Sequence, residues 1–155
     1  LVTDDGEAWY DSPVICEWLD ALPGPRLLPA DFATRMAVKR VEALADGVMD
    51  AGVAIRLESI YAGRAEHERS AGWMDWQWLK VEGGVRELER QLGERAWFVG
   101  DSLTLADISV ACALEWLDFR LPDRAWRPLA PRLSAWAQAS AQRPSLATTG
   151  PAQLT

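Results

Sequence analysis

The stretch that most constrains the fold of this chain is Leu103–Leu117, LTLADISVACALEWL. Thr104 and Asp107 have the spacing of a capping box. The threonine hydroxyl is placed to accept from the Asp107 N–H, and the carboxylate to reach back to the Thr104 N–H, near the positive end of the helix dipole. Leu103 before the cap and Ile108 inside the helix have the spacing of a hydrophobic staple. Val110, Ala111, Cys112, Ala113 and Leu114 follow, apolar nearly all round, so the pattern predicts a buried helix around which longer amphipathic helices pack.

The remaining elements read in order. Leu1–Thr3 and Glu7–Tyr10 flank Asp5–Gly6 and predict a β-hairpin. Two strands alone are marginal, so such a hairpin calls for more sheet beside it. Ser12 suits a helix N-cap and Pro13 the first helical position. The helix they open carries Val14, Ile15, Trp18 and Leu19 on one stripe and stops before Pro23. PGPRLLPAD, residues 23–31, reads as an ordered linker with Leu27 and Leu28 tucked in.

A long helix is predicted from Phe32 to about Tyr61, with Met36, Val41, Leu44, Val48 and Ile55 on its apolar side. Gly47 and Gly52 each cost it up to ~1 kcal/mol against alanine, which close approach of another helix or a ligand would offset. The next helix, Ala71–Leu92, repeats Trp78, Val81, Val85, Leu88 and Leu92 as a core seam, and Gly83–Gly84 predicts a kink in it. A last helix is expected to open at Pro131 and end near Arg143–Pro144, followed by an Ala-, Thr- and Gly-rich surface tail.

Composition limits the partners. The 155 residues carry a formal net charge of -7, which argues against nucleic acid and anionic membrane surfaces. No apolar run approaches the ~20 residues of a membrane span. The acidic start, Leu1–Trp9, is not expected to be a signal peptide. The single histidine, His67, excludes a His-rich metal site and a Ser-His-Asp arrangement, so no metal is expected. Cys16 and Cys112 lie in apolar helical contexts and are expected as buried thiols in a reducing, cytoplasmic setting. The nine tryptophans imply extensive aromatic packing.

One junction carries chemistry. A strand delivers Asp11 and Ser12 to a helix N-terminus, where unpaired N–H groups and the dipole favour a carboxylate. Ser12 adds a hydroxyl donor and Asp11 faces an ammonium, matching the two ends of an α-amino acid head group. A plain helix cap with a dipole-complementing acid accounts for the same two residues.

Asp11–Ser12–Pro13–Val14–Ile15–Cys16–Glu17–Trp18–Leu19 resembles the acid–Ser–x–x–Ile segment of the glutathione S-transferase family. Ser102–Leu103–Thr104–Leu105–Ala106–Asp107 is similar to that family's capping box and staple, and Arg143–Pro144–Ser145 to its usual finish. Val41–Ala51 is similar to a bacterial subgroup. The resemblance implies a mainly α fold in three parts. Residues 1–22 are the end of a thioredoxin-like, glutathione-binding α/β domain, 23–31 the linker, and 32–155 an all-α C-terminal domain of about five helices.

The same resemblance implies that Asp11 and Ser12 hold the γ-glutamyl end of glutathione, which acts as co-substrate with no further cofactor. The residue that activates the sulfur, and a cis-proline, are implied upstream of Leu1, so none is named as catalytic. A small hydrophobic electrophile is expected between the hairpin part and the long helix, with Val48, Met49 and Gly52 as its wall, unless these three are ordinary core. A homodimer is expected through the two long helices. Two other readings remain: a non-catalytic binding or assembly module, and a glutathione-dependent thiol-disulfide reductase.

Overall fold

The structure, a computed structural model, describes residues 1–150. It is mainly helical: α1 (Ser12–Asp20), α2 (Phe32–Ile60), α3 (Ala71–Leu92), α4 (Leu105–Arg120), α5 (Pro131–Ser140) and a short α6 (Pro144–Ala147). Single 3-10 turns at Glu66–Glu68 and Arg127–Leu129 join them.

The N-terminal hairpin is present in its turn more than in its strands. Val2 and Ala8 form one antiparallel bridge, flanked by Thr3 N–H to the Glu7 oxygen (3.0 Å) and Trp9 N–H to the Leu1 oxygen (2.9 Å). Gly6 donates to the Thr3 oxygen at 2.9 Å and takes φ +86, so the glycine closes a three-residue loop rather than a two-residue Asp-Gly turn. Two such short segments form no longer ladder by themselves.

The long helices follow their caps. Asp31 accepts from the N–H (2.9 Å) and hydroxyl (2.7 Å) of Thr34 and starts α2, and Ser70 accepts from the Trp73 N–H and starts α3. α2 lies against both α3 and α4, so the geometric hub is α2 rather than the capped helix. Val38, Val41, Ala45, Val48 and Ile55 of α2 meet Val81, Val85 and Leu88 of α3 and Val110, Leu114 and Leu117 of α4 in one core.

Two sequence expectations bear on this packing. Gly83–Gly84, where a kink is expected, lies inside α3, whose helix continues to Leu92. A Cβ on Gly84 would collide with Cγ2 of Val48; the glycine lets α2 and α3 approach, and tertiary packing outweighs its low helix propensity. Gly84→Ala is therefore expected to cost about 1–3 kcal/mol by overpacking. Val48→Ala in the same chain should recover part of the loss, measured as urea midpoints of the two single variants and the double variant. Equal loss in the single and double variants would contradict the contact.

α4 is also not buried all round. Leu105, Ala106, Asp107, Val110, Ala113, Leu114 and Leu117 are buried, but Cys112 is exposed and Phe119 is 39% exposed. The aromatic packing is similarly divided. Trp126 is fully buried, with its indole N–H on Asp118 at 2.8 Å, and Trp136 meets Phe98 edge-on. Trp73 and Trp76 face solvent.

After α5 the expected plain tail instead contains α6, and Gly150 is buried beside Glu115. The rest of the tail expectation, residues 151–155, lies outside the described residues.

The linker ties the ends together. The Asp20 carboxylate at the end of α1 accepts from the N–H groups of Leu27 (2.5 Å) and Leu28 (3.3 Å). The Leu27 oxygen in turn accepts from the Leu105 N–H at 3.1 Å, satisfying a donor in the first turn of α4. Leu28 is buried.

Candidate functional site

Asp11 and Ser12 stand together, both exposed, where the hairpin enters α1. The N-cap is Asp11, not Ser12: Asp11 is extended, and its carboxylate accepts from the Ser12 N–H at 2.5 Å. Both residue types are good caps, so sequence alone does not choose between them. Ser12 becomes the first helical residue and Pro13 the second. Asp11 itself thus takes one of the N–H groups expected to face a ligand. The Ser12 hydroxyl and the Val14 N–H remain to meet a carboxylate, and the second oxygen of Asp11 remains to meet an ammonium.

Asp46 of α2 lies close enough to feel Asp11. Burial first, then Glu42, Asp50 and Asp11, push its carboxyl above the ordinary value against the opposing Lys39. The folded state therefore binds this proton more tightly than the unfolded chain does, and the stability it brings is lost as the pH rises through the folded-state value. Asp46→Asn is expected to raise the melting temperature at neutral pH, with the gain shrinking as the pH falls through that value. Melting curves across the acid range test the sign, and a lower melting temperature at neutral pH would contradict it.

The two cysteines border the same region. Burial, then Glu42, pushes the Cys16 thiol up. Packed neighbours desolvate the Cys112 thiol, and Glu115 and Cys16 raise it further, although the residue reaches solvent. Cys16 of α1 and Cys112 of α4 thus sit within electrostatic reach of one another. Neither is in a disulfide.

Two of the three residues expected to face an electrophile belong to the core. Val48 is 2% exposed and packs on Gly84. Gly52 is buried under α4, where a Cβ would come within 2.9 Å of both Leu117 and Trp116. For these two the other reading, ordinary core, is the one their burial supports. Met49 is half-buried at the core's edge.

Sequence reading missed an outward apolar strip on the same helices. Val53 is half-buried and Leu57 exposed on α2, continuing Met49 at four-residue spacing. Cys112, half-buried Trp116 and exposed Phe119 share a face of α4. Trp116 lies against Gly52, where the two helices meet. The available signal was the four-residue repeat of Met49, Val53 and Leu57, outside the core stripe.

The capping box is formed and is wholly structural. Asp107, 1% exposed, accepts from the N–H of Thr104 (2.8 Å), the hydroxyl of Thr104 (2.9 Å) and the N–H of Phe98 (2.9 Å). The hydroxyl thus donates to the carboxylate, and the Asp107 N–H meets the Thr104 backbone oxygen at 3.2 Å.

A helical bundle built on a long α2–α3 pair and a box-capped α4, preceded by an acid–serine helix start, has a known counterpart. Residues 42–139 match the family described as glutathione S-transferase, C-terminal domain, and the chain belongs to the glutathione S-transferase family. Among its relatives, the uncharacterized GST-like protein YibF of Escherichia coli K12 is 35% identical over 153 residues, covering 97% of this chain and 73% of YibF.

Solved structures agree. A glutathione S-transferase from Methylobacterium radiotolerans, in complex with glutathione sulfonate, superposes with a TM-score of 0.88 at 38% identity, over 97% of this chain and 70% of the other. One from Methylobacillus flagellatus with glutathione bound gives 0.89 at 40% identity, over 97% and 73%. A Pseudomonas fluorescens family member with bound S-(propanoic acid)-glutathione gives 0.87 at 40%, over 97% and 75%.

Proposed function

We propose that this chain holds the γ-glutamyl end of glutathione in a glutathione transferase that directs the glutathione thiolate at an electrophilic small molecule. The observation that carries this reading is the exposed Asp11–Ser12 pair at the start of α1, in a chain similar over 97% of its length to structures with glutathione bound. Residues 1–22 then belong to a thioredoxin-like glutathione-binding part, 23–31 to its linker, and 32–155 to the all-α domain. A free thiol near pKa ~8.5 is mostly protonated at neutral pH, so such an enzyme must favour the thiolate, a task assigned to none of the residues named above.

The electrophile lies over Met49, Val53, Leu57, Cys112, Trp116 and Phe119, whose apolar surfaces suit a hydrophobic compound. The active protein is a homodimer, which covers apolar side chains left open on the long helices, among them Trp73, Trp76 and Leu79.

The test is glutathione-dependent conjugation of an electrophilic chloronitroarene by the full-length protein. Turnover above the uncatalysed rate is expected, and Leu57→Glu should raise KM for the arene with little change in KM for glutathione. Glutathione binding without turnover on any of a panel of electrophiles would leave a docking module or a thiol-disulfide reductase in place of the transferase.

A further inference from the structure

A cavity of about 340 Å³, which neither Asp11 nor Ser12 lines, lies between α2, the end of α3 and the loop before α4. Arg40, Arg90, Gln91, Arg95, Val99 and Gly100 are among its lining residues, and no lining residue is acidic. Three guanidinium groups on one cavity go against the average of a chain with 16 basic and 23 acidic residues; the carboxylate beside them is Glu87, which accepts from Arg90 and from Gln91 (2.8 Å) and which Arg40 also helps to keep ionised.

The three arginines are differently committed. Arg95 is tied to the end of α3 by donating to the backbone oxygens of Leu92 (3.3 Å) and Gln91. This satisfies helix-end carbonyls and fixes the guanidinium while leaving further N–H donors. Arg90 is held in a two-bond fork by Glu87, at 2.7 and 2.6 Å, which offsets much of its charge. Arg40 donates to no acceptor among the described residues. Next to them, the Phe98 N–H is taken by Asp107, whereas the N–H groups of Val99 and Gly100 meet no protein oxygen among the described residues.

We propose that this cavity binds a compact dianion of the phosphate class, with Arg40 and Arg95 as its main donors and Arg90 and Gln91 at its rim. The planar guanidinium matches the geometry of phosphate oxygens, and two such groups on facing elements can each make paired, charge-assisted bonds to one anion. A bound anion would join α2 to the loop that Asp107 anchors, so binding should also stabilise the fold. The proposal does not rest on the glutathione reading.

Inorganic phosphate is the probe, titrated into the full-length protein at constant ionic strength and followed by the amide resonances of Val99 and Gly100. A saturable shift at these two amides is expected. Arg40→Gln and Arg95→Gln should each weaken it about tenfold, the equivalent of one charge-assisted bond, and Arg40→Lys should weaken it less. Arg86→Gln, an exposed position on α3 outside the cavity, should change nothing. In the unmodified protein, phosphate should slow the reaction of Arg40 with phenylglyoxal, a readout that needs no variant. A shift that does not saturate, or that survives in the Arg40→Gln/Arg95→Gln double variant, would overturn the proposal. So would a shift that follows only dissociation of a dimer in light scattering, which would give the cavity to a second copy of the chain.

Discussion

Replacing Asp107 by alanine is expected to lower stability by about 3–5 kcal/mol, more than an exposed helix cap is worth. The carboxylate is 1% exposed and takes three hydrogen bonds, two from backbone N–H groups that belong to different segments. Truncation leaves the Thr104 and Phe98 donors without an acceptor in a place water does not reach, and each such orphan costs about 1–3 kcal/mol. Loss of the Phe98 bond also loosens the loop whose Phe98 packs edge-on against Trp136, so the cost is not confined to α4. Asp107→Asn retains one oxygen acceptor and should cost roughly half as much. Urea midpoints of the three proteins check this. A midpoint in Asp107→Ala unchanged within error would show that the carboxylate carries no such bonds.

That prediction shows what the sequence could and could not disclose. Thr104 and Asp107 are three residues apart, so the box was legible from spacing. The bond to Phe98 spans nine residues of loop and left no local pattern. The long helices were legible for a similar local reason, apolar residues at three- and four-residue intervals, and the structure adds Asp31, Ser70 and Gly93 as their caps. Errors arose where tertiary contact decides. Gly84 has no visible reason in the sequence until Val48 is seen to fill the space beside it. Val48 and Gly52 read either as a ligand wall or as ordinary core until α3 and α4 are seen packed on them. Cys112 reads as buried because its neighbours in sequence are apolar, yet the folded residue is exposed.

At the candidate site, position was legible and role within the cap was not. Asp11 and Ser12 were singled out together, and they do stand together at the start of α1. Their order of duty is reversed: Asp11 caps, and Ser12 is the first helical residue. This alters the expectation for each. Loss of the Asp11 charge removes the proposed ammonium partner and weakens the cap, whereas loss of the Ser12 hydroxyl, which is not the cap, should leave the helix intact. Ser12→Ala is therefore expected to reduce glutathione affinity by roughly ten- to a hundredfold, as for one hydrogen bond to a charged acceptor worth about 1.5–3 kcal/mol. Its melting temperature should stay unchanged. Asp11→Asn keeps the shape and an acceptor for the Ser12 N–H, and should weaken binding with a small loss of stability.

Calorimetric titration of glutathione into full-length wild type, Ser12→Ala and Asp11→Asn, with melting temperatures measured in parallel, tests the central claim most directly. The account predicts saturable binding by wild type and weakened binding by both variants, with Ser12→Ala as stable as wild type. Absence of binding by wild type at millimolar glutathione, or a Ser12→Ala variant that binds normally and melts earlier, would contradict it.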